Sequence, residues 1–202
     1  MQVLESAAQV SFSPLLRRYS LEEFWALPEP EGRSHYDLIG GQLFMVPPPD
    51  PPHGSVDFRL ADSLFQFVRS HKIEGEVHHP REGIYTDLVT ATYVEPDMMY
   101  VSNSLRNRMG NKRGSADIVF EYLSPSTATY DRTTKADTYL ALGVRELWLV
   151  DPVTVTIEVR YATVREGRPE WETWRFSKGD LAESRVLPGW RVSVDELFKG
   201  LV

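Results

Sequence analysis

The sequence contains no cysteine. Disulfides, thiolate nucleophiles and cysteine zinc sites are therefore excluded. Any metal must be held by oxygen, with histidine as the one available nitrogen donor, and there are only five histidines. No stretch approaches the ~18 apolar residues of a membrane span. The opening stretch, MQVLESAAQVSFSPLLRRYS, lacks a basic start followed by a long apolar core. No secretory signal is expected there, and a cytoplasmic location is. Positive charge is in the minority: 22 Lys and Arg stand against 29 Asp and Glu, for a net charge of −7. That balance argues against broad nonspecific nucleic-acid binding. It leaves a nuclease open, because acidic metal ligands add negative charge that bound cations offset. There is no internal repeat and no low-complexity linker, so one domain over residues 1–202 is expected.

What is present is ordinary globular material, 42% hydrophobic and 25% charged. Ser20-Leu-Glu-Glu23 has capping-box spacing and predicts a short helix ended by Pro28 and Pro30. HYDLIGGQLFMV, residues 35–46, reads as a hairpin around Gly40-Gly41. PPPDPPHG, residues 47–54, reads as a rigid loop that delivers His53. Val56, Leu60, Leu64, Phe67 and Val68 predict an amphipathic helix over about 55–70. Strands are expected near 76–79, 82–86, 92–101, 117–123, 145–151, 153–164 and 171–176. A helix over 128–142 closed by Gly143 and a terminal helix over 193–198 capped by Ser193 complete the pattern. The order implies an α/β protein with a mixed sheet flanked by helices.

The chemistry concentrates in four places. IVFEYL, residues 118–123, puts Glu121 inside an apolar strand, where an ionised carboxylate is costly without a metal ion, a buried cation or strand-end water beside it. VEPDMMYV, residues 94–101, carries Glu95 and Asp97 on one face of an extended chain, with Pro96 marking an edge or a bulge. Asp97 and Glu121 are 24 residues apart, enough for a loop and a return on a neighbouring strand. Adjacent carboxylates repel, and a divalent cation reverses that; Mg²⁺ takes one or two carboxylates plus water and phosphate oxygens. The Tyr122 carbonyl is a third candidate ligand. Asp131, Lys135 and Tyr139, in DRTTKADTY, share one helix face. Asp131 and Lys135 read as a surface ion pair or as a pair near the metal; Tyr139 reads as core. Leu123 stands where a lysine would face the same side as Glu121, and Lys135 is placed to come in from the helix instead. Arg106, Arg108, Lys112 and Arg113 form an acid-free basic loop, either solvated or in contact with phosphate. His78 and His79 are adjacent on a strand and cannot chelate together.

In order, EPD, E-x-L, S-P-S-T, D-x-x-x-K-x-x-x-Y and GVRELWLVDP resemble the putative restriction endonuclease family, a bacterial branch of the PD-(D/E)XK nucleases. YDLIGGQL and PPPDPPH also fit, and the resemblance spans about residues 20–165. It implies a restriction-endonuclease-like core, Asp97 and Glu121 as ligands of Mg²⁺ or Mn²⁺, Lys135 as a migrated catalytic lysine, and His53 as a family histidine. It also implies nucleic acid, DNA in the first place, as substrate; since one active site cuts one strand, cleavage of a duplex suggests a homodimer. One departure stands out: the family has Gly-Glu-Leu where this chain has Gly41-Gln42-Leu43. An amide cannot accept a proton, so Asp37 or Glu95 is needed to compensate for Gln42, or activity is reduced. Two rivals remain: a noncatalytic nucleic-acid or protein-binding module of the same fold, and a glycosidase-type carboxylate pair, which leaves Lys135 and the basic loop without roles.

Overall fold

The computed structural model describes residues 17–30, 32, 34–48, 52–79, 82–88 and 90–201. Most of the opening stretch and the centre of the proline-rich loop, residues 49–51, lie outside them. In chain order the elements are α1 (Leu21–Trp25), β1 (His35–Ile39), β2 (Gln42–Val46), α2 (His53–Ser70), β3 (Gly75–His78), β4 (Ile84–Thr86), β5 (Thr92–Val94), β6 (Met98–Ser102), α3 (Asn103–Met109) and β7 (Ile118–Tyr122). Then come α4 (Ala128–Tyr130), a π-helical turn (Asp131–Lys135), α5 (Ala136–Ala141), β8 (Glu146–Asp151), β9 (Thr156–Arg165), β10 (Arg168–Phe176), β11 (Leu181–Glu183), β12 (Arg191–Ser193) and α6 (Val194–Phe198).

A six-stranded sheet in the order β10-β9-β8-β7-β6-β3 forms the centre. Only β7 and β8 run parallel, because α4, the π turn and α5 carry the chain back between them. β7 is buried throughout, and its side chains alternate between two cores. Ile118, Phe120 and Tyr122 join α2, α6 and the Trp148–Trp190 pair on one face. Val119 and Leu123 meet Ala136 and Tyr139 of the crossover on the other. Glu121 lies between them in alternation and so points toward the crossover.

The expected strand over 92–101 is two strands. β5 pairs with β1 and β4 in a second, four-stranded sheet, whereas β6 pairs with β3 and β7. Glu95, Pro96 and Asp97 make the passage between sheets, consistent with a proline that has no N–H for a ladder. The hairpin turn at Gly40-Gly41 has φ of 59° and 80°, the left-handed pair that a two-residue turn requires. α1 has the expected capping box, and Ser193 caps α6. At the end of α5, Val144 N–H donates to Tyr139 O and Gly143, at φ 80°, donates to Leu140 O. This closes the helix with a Schellman motif.

Candidate active site

The β6–β7 register pairs Met98 with Phe120, so the residue before β6 meets the end of β7. Asp97 Oδ2 accepts the Tyr122 N–H at 2.8 Å, which fixes its carboxylate beside Glu121. The crossover starts just past Tyr122, after Ser124-Pro125-Ser126-Thr127 turn the chain, so its first turns stand over Glu121. Within it, the Ala136 N–H reaches back to Asp131 O, the wide closure of a π turn. This turn brings both Asp131 and Lys135 inward, and both are buried. Asp131 is thus no surface residue. Asp97, Glu121, Tyr122, Asp131 and Lys135 all line one cavity of about 50 Å³. One water needs roughly 10–15 Å³, so this space has room for a few waters or for a small ion.

Lys135 Nζ lies 2.9 Å from Glu121 Oε1 and 3.8 Å from Asp37 Oδ2, and it donates to Glu95 O at 3.0 Å. Of the compensations open to Glu121, a buried cation is therefore the one in contact. Tyr139 OH donates to the same Oε1. Among the described residues no hydrogen bond falls on Glu121 Oε2. Asp37 is fully buried in β1; its carboxylate accepts the Glu95 N–H at 3.0 Å and the Tyr130 OH at 3.0 Å. Of the two acids weighed against Gln42, Asp37 reaches Lys135 by its side chain, whereas Glu95 meets Asp37 and Lys135 by its backbone N–H and carbonyl and its carboxylate accepts from Tyr93 OH. Gln42 itself does not reach the site: it is exposed at the turn end of β2, whereas the cavity touches Val46 at the other end.

His53 is the first residue of α2 rather than part of a loop. Its Nε2 lies 3.3 Å from Asp97 Oδ1, and its ring meets Tyr122 edge-on at 5.0 Å. Burial alone would lower the His53 pKa, but the hydrogen bond and charge of Asp97, with Asp57 and Asp131 behind it, raise it. Burial alone would raise Asp97, but His53, Lys135 and the Tyr122 N–H hold it below the usual carboxylate value. Burial pushes Glu121 well up; Lys135 opposes this, while Asp97 and Asp131 add to it. Burial would lower Lys135, yet the surrounding groups, Glu121 foremost, hold it well above an ordinary lysine. These partners favour the ammonium form. Four carboxyl groups (Asp37, Asp97, Glu121 and Asp131) gather around Lys135, with His53 beside Asp97, so acidic groups outnumber basic ones in the cluster.

The basic segment stands elsewhere. Its first part is helix, not loop: Asn103–Met109 form α3, capped by Ser102. β6 separates it from Asp97, roughly 15 Å at the usual rise per residue. Acids distant in sequence meet its cations: Arg106 pairs with Glu76, Lys112 lies 3.7 Å from Asp87, and Arg113 pairs with Glu82. Arg108 donates to Ser104 at 2.8 Å. Three of its four cations thus sit in ion pairs at the surface, and Arg108 has no acidic partner among the described residues. His78 and His79 do part company, His78 to Glu82 at 3.1 Å and His79 to Asp57 at 2.7 Å.

Among the described residues no group of three or more His, Asp or Glu side chains is placed so that it could hold a metal ion. No helix in the described chain is long and apolar enough to cross a membrane. No curated protein matches the sequence. A crystal structure of a putative nuclease from Anabaena variabilis is similar in fold, with a TM-score of 0.71 at 22% identity, over 91% of this chain and 99% of that one. The mixed sheet flanked by helices is thus a restriction-endonuclease-like core. The Uma2 model, described as putative restriction endonuclease, matches residues 21–195. With most of its length inside that match, the chain belongs to the Uma2 family of putative restriction endonucleases.

Proposed function

We propose that the chain is a metal-dependent phosphodiester hydrolase, a DNA endonuclease that acts as a homodimer on duplex substrate. One observation carries this reading: two carboxylates and an ammonium, from a strand junction, a strand end and a π turn, converge on one small cavity. The residues fit an ion of the Mg²⁺ or Mn²⁺ type. Two carboxylates and a backbone oxygen, with room left for water and phosphate, are what such ions take, and a set short of a full protein cage is usual for Mg²⁺. The excess of buried carboxylate over cation is what a divalent ion offsets. Asp97, Glu121 and the Tyr122 carbonyl are the groups to hold it. When bound, the ion supplies Lewis acidity at the phosphate and eases ionisation of the attacking water.

The chain's own groups do the rest. His53 and the Tyr122 N–H hold the Asp97 carboxylate in one orientation. Tyr139 and Lys135 do the same for Glu121. Lys135 keeps its proton, so it serves as a fixed cation that orients water and offsets charge growing on phosphorus, not as a base. Membership of the Uma2 family supports nuclease chemistry in general.

The test is cleavage of plasmid and single-stranded DNA with Mg²⁺ or Mn²⁺. Asp97→Asn, Glu121→Gln and Lys135→Met are each expected to lower the rate by about 10²–10³-fold, the usual loss on removing one electrostatic contact to a transition state. Unchanged cutting in all three variants would refute the assignment.

A further inference from the structure

We propose that a hollow beside the acid–lysine cavity seats one nucleobase that carries an exocyclic amine, stacked on Trp25 next to the scissile phosphate. The inference rests on reading the cavity as a phosphodiester-cleaving centre, and it names the part of the substrate that this centre selects.

The hollow measures about 250 Å³ and opens between α1, the segment after it and the start of β1. Pockets for drug-sized ligands measure roughly 300–1,000 Å³, so this smaller space suits a single ring system. His35 and Glu95 line both it and the acid–lysine cavity, so the two adjoin across these residues. A phosphodiester held in one would leave its neighbouring base at the mouth of the other.

The wall is aromatic and held in place. Trp25 is 56% exposed, yet its ring is set edge-on against Tyr93 at 4.9 Å. Phe24 supports Tyr93 from another side at 5.0 Å, and Tyr93 OH donates to Glu95 at 2.7 Å. Such a surface binds a base by stacking without reorganising.

Polarity selects among occupants. Glu29, Ser34 and Glu95 line the hollow, and among the described residues no lysine or arginine does. The oxygens of these three residues offer acceptors to an exocyclic amine, as carboxylates do to cytosine N4. A base reaches this wall only when it is out of a duplex stack, so the substrate is single-stranded or has an extruded nucleotide.

The experiment maps cuts made by the wild-type chain with Mn²⁺ in short single-stranded DNA of mixed sequence. It then repeats the cleavage with an abasic residue beside the preferred cut. Cuts are expected beside adenine, cytosine or guanine and rarely beside thymine, and the abasic residue is expected to slow cleavage at least about fivefold. Trp25→Ala should lose both the preference and the abasic sensitivity, while Trp25→Phe should retain part of each. Cleavage indifferent to the neighbouring base and to the abasic residue would overturn the inference alone. No cleavage of any DNA would overturn the phosphodiesterase reading and the inference with it.

Discussion

At the scale of single residues, the site depends on how one ammonium is shared. Lys135 is buried against Glu121, with Asp37 a little farther off. Removing one partner of a buried ion pair strands the other, which typically costs about 3–5 kcal/mol. Lys135→Ala strands two carboxylates, whereas Glu121→Gln leaves Lys135 its contacts with Asp37 and the Glu95 carbonyl. Urea unfolding in EDTA is therefore expected to show Lys135→Ala losing about 3 kcal/mol and Glu121→Gln clearly less. Glu158, buried behind the site, gives a pH dependence. Burial would raise its pKa, but hydrogen bonds from Arg175 and Arg160 and the charges of Arg160 and Arg132 hold it below 4.5. A depressed carboxylate stabilises the fold above its unfolded value and loses that contribution as pH falls through its folded value. The stability gap between wild type and Glu158→Gln should thus be full at neutral pH and close below 4.5. Urea midpoints across that range check it. Part of this arrangement was legible: spacing allowed Asp97 and Glu121 to be neighbours, and the family resemblance implied that Lys135 joins them. The burial of Asp131 was not, because an i, i+4 acid–lysine pair on a helix has the same pattern whether it faces water or a cavity.

At the scale of elements, the π turn is the decisive piece. Arg132 within it is tied to Asp151 at 2.9 Å, and Arg160 donates to the Arg132 carbonyl at 2.8 Å, so the turn is held from the side away from Lys135. Deleting the exposed Thr133 would return the turn to α-helix and rotate one flank by about 100°. Circular dichroism is expected to show the helix retained, with DNA cleavage down about 100-fold or more because the ammonium is misplaced. β4 gives a second test. A Cβ on Gly83 would overlap the ring of Tyr93, which Phe24 and Trp25 hold in place. Gly83→Ala should destabilise by about 1–3 kcal/mol, readable as a lower thermal midpoint. The sequence discloses elements in proportion to how strongly burial patterns them. β7 and β8, buried throughout, were plain. α3 was hidden because it has no buried residue and its polar run looks like a loop. The π turn leaves no mark in composition, since it is one residue of register inside a helix.

At the scale of the whole molecule, the site exists because two sheets meet at Glu95-Pro96-Asp97 and the β7–β8 crossover closes over them. Proline at that point was visible in the sequence, but the second sheet was not. It depends on the pairing of Leu38 with Tyr93, a contact too distant in the chain for local pattern to announce. The same distance concealed Asp37 as a partner of Lys135 and placed acids beside the basic segment, which looked acid-free in sequence. A chain of net charge −7 whose excess carboxylate is partly concentrated at one buried cluster should gain stability from a divalent ion. At a hundred times its dissociation constant, such an ion adds about 2.7 kcal/mol. Thermal unfolding should show that gain in the wild type and not in an Asp97→Asn, Glu121→Gln double variant. The most direct measurement is calorimetric titration of Mn²⁺ into the purified chain. The account predicts one ion bound per chain, lost in Asp97→Ala and in Glu121→Ala and retained in Lys135→Met; no binding by the wild type at millimolar Mn²⁺ would contradict it.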